Sequence, residues 1–271
     1  MTQSILLIGC GKMGAAMAQG WLNTMPQVVL TVVDPAAPAW PPSLALSSLK
    51  HCSALSQVPR PLVADAVVLA IKPQQMAEVA PHLQDMLPTP CPLILSIAAG
   101  ITTTRLQGWM GEKSPIVRAM PNLPASVGAG ISGAYAHACV TPPQRALAEQ
   151  LLGVLGLVLW QDDEMLLEAV TAVSGSGPAY FFLLAEVMAE VGQALGLSAE
   201  QARTLARHTL VGAGALLRHD DRSVQALRQA VTSPGGTTEA ALKVLMQHDQ
   251  LKNLMHQAMQ ACVERARALG G

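Results

Sequence analysis

The chain has 271 residues, of which 51% are hydrophobic, only 13% are charged and 3% are aromatic, and its formal net charge is −1. A globular domain usually carries about 25% charged residues. The low charge and high hydrophobicity exclude intrinsic disorder, and the lack of any cluster of five basic residues argues against nucleic-acid binding. This apolar composition predicts that part of the surface is covered by another subunit.

The sequence shows no pattern typical of export, membrane insertion or metal binding. Its longest apolar runs are interrupted by Asp65 and Glu186, short of the roughly 18 residues that indicate a membrane span, and the N-terminus lacks the basic segment of a signal peptide. An odd number of cysteines without Cys-x-x-Cys spacing predicts free thiols in a reducing compartment; they are Cys10, Cys52, Cys91, Cys139 and Cys262. We therefore expect a cytoplasmic protein with no metal site.

Short apolar runs alternate with segments of helical spacing through the first 160 residues. The predicted strands are Ser4–Ile8, Val28–Val33, Ala64–Ile71, Leu93–Ile97, Ile116–Met120 and Gly128–Gly133. The predicted helices between them are Lys12–Leu22, Gln74–Leu87 and Thr102–Met110. Continuously apolar strands that alternate with helices predict a parallel sheet covered on both faces, the doubly wound α/β architecture.

From Asp162 onward only helical patterns are found. The predicted helices are Asp163–Val173, Pro178–Leu195, Ser198–Leu217, Ser223–Ala230, Thr237–Met246 and Leu251–Leu269. We predict a dinucleotide-binding (Rossmann) domain over residues 1–160 and an all-helical domain over residues 161–271.

The first predicted strand leads into a G-x-G-x-x-G motif that opens the first helix. The three glycines allow a tight turn, close approach of the backbone to a pyrophosphate, and packing of helix on strand. Because a strand precedes the motif and a helix follows it, a turn without a ligand is the weaker alternative. The residues predicted to contact the dinucleotide here are Gly9, Cys10, Gly11, Lys12, Met13 and Gly14.

Asp34 ends the second strand, 20 residues after Gly14. A carboxylate at this place accepts hydrogen bonds from the ribose 2′-hydroxyl and repels a 2′-phosphate. No Arg or Lys follows in Pro35–Pro38, so the local chemistry favours NADH. A solvated turn aspartate before proline is the alternative.

Two later strand ends also point to the ligand crevice, which in such sheets lies at the carboxyl ends of the strands. The strand from Ala64 ends in Ala70, Ile71, Lys72 and Pro73, where Lys72 is either a phosphate or ribose contact or an ordinary solvated strand end. The strand from Leu93 is followed by Ala98, Ala99 and Gly100, small residues that allow a flat nicotinamide to lie against the backbone.

Two glycine-rich turns open helices in the second half. One is Ser174–Tyr180 (SGSGPAY) and the other is Thr232–Glu239 (TSPGGTTE). Each is a candidate cradle for a carboxylate, since backbone N–H groups at a helix start attract anions. A plain capping turn is the alternative for each.

The helical half contains no obvious strong base. No lysine occurs between Ser114 and Leu242, and His208 and His219 lie in contexts typical of surface histidines. An alcohol dehydrogenase must move a hydroxyl proton and usually supplies Lys or His for that purpose. A reductase of a C=N bond has no such need, because an iminium already carries its proton.

The sequence resembles the pyrroline-5-carboxylate reductase family along essentially its whole length. The resemblance is carried by IGCGKMG, LAIKPQ (69–74), SIAAGI (96–101), RAMPNLPASVGAG (118–130), SGSGPAY and TSPGGTTEAAL (232–242), of which the last two are the most specific.

The resemblance implies reduction of 1-pyrroline-5-carboxylate to L-proline by NADPH or NADH, in a homodimer or a ring of five dimers. It also implies roles for individual residues. Thr238 faces the ring nitrogen as the catalytic residue, and Met120, Asn122 and Pro124 lie near the nicotinamide. The substrate carboxylate is held by Ser233, Gly235, Gly236, Thr237 and Thr238.

Two other functions fit the same architecture. One is a 3-hydroxyacid dehydrogenase of the 6-phosphogluconate dehydrogenase-like group, which would need a lysine on the helix after SGSGP, where none occurs. The other is a non-catalytic NAD-binding regulator, against which the two glycine-rich turns argue.

Overall fold

A computed structural model describes residues 2–38, 40 and 48–270. It divides into two compact units, residues 1–175 with 262–271, and residues 176–261. The strands end at Trp160, where the sequence predicted the domain boundary, whereas the packing changes only after Gly175. The reason is that helix α5, Leu166–Val170, packs on the sheet, and Arg267 Nε donates to Glu168 Oε2 at 2.6 Å within the first unit.

The first unit is built on a sheet of eight strands. In chain order they are β1 Gln3–Ile8, β2 Val28–Val33, β3 Leu49–Cys52, β4 Ala66–Leu69, β5 Leu93–Ser96, β6 Ile116–Met120, β7 Gly130–Ala136 and β8 Gly156–Trp160. Their order across the sheet is β3-β2-β1-β4-β5-β6-β7-β8. The first six strands therefore have the doubly wound order that characterises dinucleotide-binding domains, and the predicted fold class is confirmed.

One ladder of the sheet differs from the prediction of a parallel sheet. β6 and β7 pair antiparallel, with Val117 opposite Ala136, whereas β7 and β8 pair parallel. Only a short 3₁₀ turn, Leu123–Val127, lies between β6 and β7. Since a parallel connection needs a crossover of about a dozen residues or more, β7 has to return beside β6 in the opposite direction.

Helices cover both faces of the sheet. In the first unit they are α1 Lys12–Thr24, α2 Pro73–Gln84, α3 Thr103–Met110, α4 Pro142–Gly153 and α5. All four residues of β4 and of β5 are buried, as expected for strands covered on both sides. Two apolar clusters form the core, and in one of them the fully buried Trp21 donates its indole N–H to Leu151 O at 2.8 Å.

The strand β3, the helix α4 and the strand β8 were not predicted from the sequence. α4 nevertheless carries a clear start signal, because Thr141 and Gln144 form a reciprocal capping box on either side of Pro142 and Pro143. β3, with the sequence LKHC, is short and polar and has no strand periodicity.

The second unit is helical, and its apolar residues are largely exposed. Its helices are α6 Gly177–Ala194, α7 Ala199–His219, α8 Val224–Ala230 and α9 Thr237–Met246, and α10 Gln250–Gly270 ends in the first unit. The predicted capping box of α7 is present, with Gln201 N–H donating to Ser198 Oγ at 3.2 Å. A single chain buries few apolar side chains here; exposed ones include Phe181, Phe182, Leu184, Met188, Val211, Leu217, Leu245 and Leu254.

Within the described residues, one helical stretch, Leu166–Ala194, is long and apolar enough to cross a membrane by length and composition alone. Little of that stretch is buried in a single chain. No such segment is expected from the sequence, because Glu186 interrupts the apolar run.

Candidate active site

The glycine-rich turn after β1 has a backbone that only glycine satisfies at two of its three positions. Gly9 has φ +90°, and a Cβ there would lie 2.6 Å from Ala70 O. A Cβ on Gly14 would lie 2.3 Å from Gly9 O. Gly11 is different, because no protein atom lies within 4 Å of its would-be Cβ.

Gly11 is also the N-cap residue of α1, and no side chain caps this helix start. The first N–H groups of a helix have no partner within the helix and carry its positive dipole end. The open space above Gly11 therefore fits a phosphate, and the turn as a whole fits a dinucleotide.

A cleft of about 550 Å³ opens beside this turn at the carboxyl ends of the strands. Six of the predicted cofactor residues line it: Gly9, Gly11, Asp34, Ala70, Ile71 and Lys72. Cys10, Lys12, Met13 and Gly14 continue the same turn, and Pro73 opens α2. The structure thus brings together residues from the ends of β1, β2 and β4.

Asp34 is fixed by the backbone around it. Its Oδ2 accepts from Cys10 N–H at 2.7 Å and its Oδ1 from Ala36 N–H at 2.9 Å, and its backbone carbonyl contacts His51 Nε2 at 2.8 Å. The carboxylate therefore lies against the glycine-rich turn, and each of its two oxygens is held by one backbone N–H group. Burial, with the nearby Asp34 charge, raises the pKa of the Cys10 thiol to about 11, so this thiol is protonated at neutral pH and is not a nucleophile.

The far wall of the cleft was missed from the sequence. Ser53, Ala54 and Leu55 follow β3 on one side, and Gln75, Glu78, Val79 and His82 lie along α2 on the other. Among the described lining residues the permanently charged side chains are Asp34, Glu78 and Lys72. Two of these three side chains are acidic. The part after β3 had no signal, because that strand was not revealed by the sequence, whereas the helix α2 was predicted but given no role in the cleft.

The segments predicted to face the nicotinamide lie at the ends of β5 and β6, outside the lining of this cleft. Ala98 is 3% exposed and Gly100 has φ +79°. Met120 ends β6, and Pro124 lies in the 3₁₀ turn that follows.

The Asn122 side chain is held inside the protein at both ends of its amide. Its Nδ2 donates to Ser174 O at 3.2 Å, and its Oδ1 accepts from Ile131 N–H at 3.0 Å. The carboxamide therefore joins β6, β7 and the turn before α6.

A buried ion pair that sequence reasoning missed lies beside these segments. Arg118, in β6, donates to Glu164 Oε1 at 3.0 Å. Glu164 also accepts from both the N–H and the hydroxyl of Thr103, at 2.8 and 2.6 Å. The partners are 46 and 61 residues apart, so no local pattern could have revealed them.

The glycine turn of the second unit forms the start of α9. Gly235 has φ +72°, and its N–H donates to Glu239 Oε2 at 2.8 Å. Gly236 is the N-cap, without a side-chain cap. Ser233 begins the turn and Thr237 and Thr238 follow it, all three at exposed positions. The hydrogen bond from Gly235 and the nearby Lys243 lower the pKa of the Glu239 carboxyl, so it stays ionised and keeps the turn closed.

The SGSGPAY turn has a tighter structure. Residues Thr171–Gly175 form a π-helical turn. Such turns are frequent at functional sites. Ser174 Oγ donates to Val170 O at 3.0 Å, and a Cβ on Gly175 would lie 2.8 Å from Met120 Cε. This turn is packed against the end of β6, whereas the turn before α9 presents its hydroxyls to solvent.

The fold, the glycine-rich turn and the cleft define a dinucleotide-binding oxidoreductase. Residues 164–269 match the pyrroline-5-carboxylate reductase dimerisation family, and residues 4–100 match the family of coenzyme F420-dependent NADP oxidoreductases.

Relatives along the full length give a finer assignment. The chain is 41% identical to the pyrroline-5-carboxylate reductase of Pseudomonas aeruginosa over 99% of its length and 97% of the relative's. It is 37% identical to that of Pasteurella multocida, with 98% of each chain covered. The chain belongs to the pyrroline-5-carboxylate reductase family.

Solved structures agree with this assignment. A pyrroline-5-carboxylate reductase from Coxiella burnetii is 37% identical, covers 100% of both chains and has a TM-score of 0.88. The Plasmodium falciparum enzyme, solved with NADP bound, is 26% identical over 99% of this chain and 98% of its own, with a TM-score of 0.82. The 3-hydroxyacid dehydrogenase alternative is not favoured.

Proposed function

We propose that this protein reduces 1-pyrroline-5-carboxylate to L-proline, the last step of proline biosynthesis. A bound reduced nicotinamide supplies a hydride, which adds to C5 of the protonated imine while the C=N electron pair returns to nitrogen. The observation that carries the proposal is the uncapped, open helix start at Gly11 beside a cleft of about 550 Å³, in a chain whose full-length relatives are pyrroline-5-carboxylate reductases.

The residues of this chain have positioning and binding roles in the reaction. The N–H groups that open α9, with the hydroxyls of Ser233, Thr237 and Thr238, hold the substrate carboxylate, and Thr238 also contacts the ring nitrogen. Support comes from the uncapped N-terminus of α9 and from the Glu239 bond that keeps the turn closed. No side chain has to act as a strong base, because the iminium carries its proton. Orientation of the reactants can supply about 7–11 kcal/mol in favourable cases.

NADH is a competent donor for this enzyme as well as NADPH. The support is Asp34, whose side-chain oxygens are fixed toward the glycine-rich turn, and the presence of Glu78 in the same cleft. A 2′-phosphate placed beside Asp34 would meet a like charge, whereas a free 2′-hydroxyl would donate to it.

Residues 161–271 carry the substrate turn and the subunit interface, so the working unit is a homodimer at least and a ring of five dimers is its larger form. The exposed apolar side chains of α6–α10 support this, because a single chain rarely exposes large apolar patches. The same interface accounts for the apolar stretch Leu166–Ala194, all of which lies inside the matched dimerisation residues 164–269. We propose a cytoplasmic enzyme that does not contact membranes.

One assay tests the reaction. Oxidation of NADH and NADPH is followed with pyrroline-5-carboxylate as substrate, and in parallel NAD⁺ and NADP⁺ are offered with 3-hydroxyacids. Fast oxidation with the imine, and no reduction with the hydroxyacids, is expected. Turnover of a hydroxyacid, or binding of dinucleotide without turnover of either substrate, would overturn the proposal in favour of a dehydrogenase or a regulator.

A further inference from the structure

A single, largely buried carboxylate joins three separate segments of the first unit. Glu164 lies in the turn between β8 and α5, and its two oxygens receive three hydrogen bonds, one from Arg118 and two from Thr103. The Glu164 and Arg118 side chains are only 16% and 8% exposed, and Thr103 is 2% exposed. The acceptor and both donors are thus held away from water in one arrangement.

The two partners of Glu164 lie directly beside the segments expected to face the nicotinamide. Thr103 is the first residue of α3 and follows the connection that contains Ala98, Ala99 and Gly100. Arg118 pairs with Ser96, the last residue of β5, and lies two residues before Met120. Glu164 therefore holds in place both ends of the β5–α3 connection and the end of β6.

A second set of bonds joins the same region. The Asn122 carboxamide links the end of β6 to Ser174 O and to β7. The Gly175 backbone packs closely on Met120, because a Cβ on Gly175 would lie 2.8 Å from Met120 Cε. Together, Glu164 and Asn122 hold the β8–α5 segment and the π-helical turn against the end of β6.

A buried ion pair usually adds little net stability, because the loss of hydration offsets the attraction between the charges. What it does supply is direction, since each hydrogen bond holds its partners within narrow limits of distance and angle. Hydride transfer is sensitive to such limits, and a displacement of about 1 Å can cost about 100-fold in rate.

We propose that Glu164 is a positioning residue for hydride transfer, which holds the segments 98–100 and 120–124 in place without touching cofactor or substrate. The proposal rests on the proposed reductase reaction and on the proposed nicotinamide contacts of those two segments. Loss of the Glu164 bonds should therefore lower kcat, while the adenosine half of the cleft, lined by Asp34 and α2, keeps its affinity.

The test compares three variants with the wild-type enzyme. Glu164→Gln removes the charge of the carboxylate, and it should lower kcat about 10–100-fold, or about 1.4–2.7 kcal/mol. Thr103→Val removes the hydroxyl bond to Glu164 but keeps the N–H bond, and it should also lower kcat. The dissociation constant of ADP-ribose, which lacks the nicotinamide, should stay within about threefold. Ser114→Ala is the matched control: it removes a buried hydroxyl bond to Met110 O at the other end of α3, and its kcat should stay within about twofold.

A double variant separates positioning from stability. In Arg118→Met/Glu164→Gln no buried charge is left unpaired, and the carboxamide oxygen can still accept from Thr103. The Tm lost in Glu164→Gln should therefore return, while kcat stays low because the bond from β6 is gone. A kcat within about threefold of wild type in both Glu164→Gln and Thr103→Val would overturn the proposal. So would a kcat that recovers together with Tm in the double variant, or a loss of ADP-ribose binding in Thr103→Val. If the wild-type enzyme itself did not reduce pyrroline-5-carboxylate, the proposed function would fail first, and this inference with it.

Discussion

Of the alanine substitutions at Gly11 and Gly14, the one that costs more stability should be the one that costs less cofactor affinity. At Gly11 the backbone has φ −66° and ψ −167°, which alanine adopts readily, and a Cβ meets no protein atom within 4 Å. The only cost to the free protein is a poorer N-cap, no more than about 1 kcal/mol. A chain of this size should then lose no more than about 4 °C in Tm.

At Gly14 the added Cβ would lie 2.3 Å from Gly9 O, and must move away by about 1 Å to reach an ordinary contact. Overpacking of this kind costs about 1–3 kcal/mol, with the higher end expected because the neighbour is backbone. Better helix propensity returns up to about 1 kcal/mol, which leaves a net loss of about 2 kcal/mol and a Tm lower by roughly 4–8 °C.

For cofactor binding, Gly11→Ala should be the more damaging of the two substitutions. The methyl of Gly11→Ala occupies the space proposed for the pyrophosphate, so the dissociation constant for NADH should rise at least 100-fold, about 2.7 kcal/mol. Titration of each variant with NADH, beside thermal unfolding without ligand, measures both effects. Gly153→Ala, in α4 with open space at its Cβ, is the control: it should leave NADH binding unchanged and should not lower the Tm. If Gly11→Ala bound NADH as tightly as the wild type, the assignment of this turn to the pyrophosphate would be wrong.

Three further predictions concern the cofactor, the assembly and the substrate turn. Asp34→Ser should raise the ratio of kcat/KM for NADPH to that for NADH at least tenfold, because it removes the carboxylate at the 2′ position; a wild-type preference for NADPH of 100-fold or more, about 2.7 kcal/mol, would contradict the role given to Asp34. Light scattering at micromolar concentration should give at least twice the chain mass of 28.3 kDa, and an active monomer would refute the proposed interface. Gly236→Val, whose Cβ would lie 3.0 Å from Ser233 O, should raise KM for pyrroline-5-carboxylate steeply while NADH binding is retained. Thr238→Ala should lower kcat/KM about 10–100-fold, or about 1.4–2.8 kcal/mol, partly through kcat. If neither of these last two changes lowered kcat/KM threefold, the turn would be only a helix cap and the SGSGPAY turn the better candidate.

The sequence alone was sufficient for features that depend on neighbours along the chain. The glycine-rich turn, the strands β1 and β2 and the start of α1 have local causes: backbone sterics at Gly9 and Gly14, and apolar periodicity on either side. The position of Asp34 after β2 follows in the same way. Membership of the family was also readable, because its motifs are continuous segments.

The tertiary structure decided what depends on distant partners. The direction of β7 depends on the length of its connection to β6, and β3 is a strand only because β2 offers it a free edge. The Asp34 carboxylate points to the glycine-rich turn because Cys10 and Ala36 donate to it. Glu164 had no signal in the sequence at all, since its partners are brought to it by the order of the strands. Local sterics and periodicity depend only on short segments of the chain. A buried hydrogen-bond network forms only after the sheet has brought its donors and acceptors together.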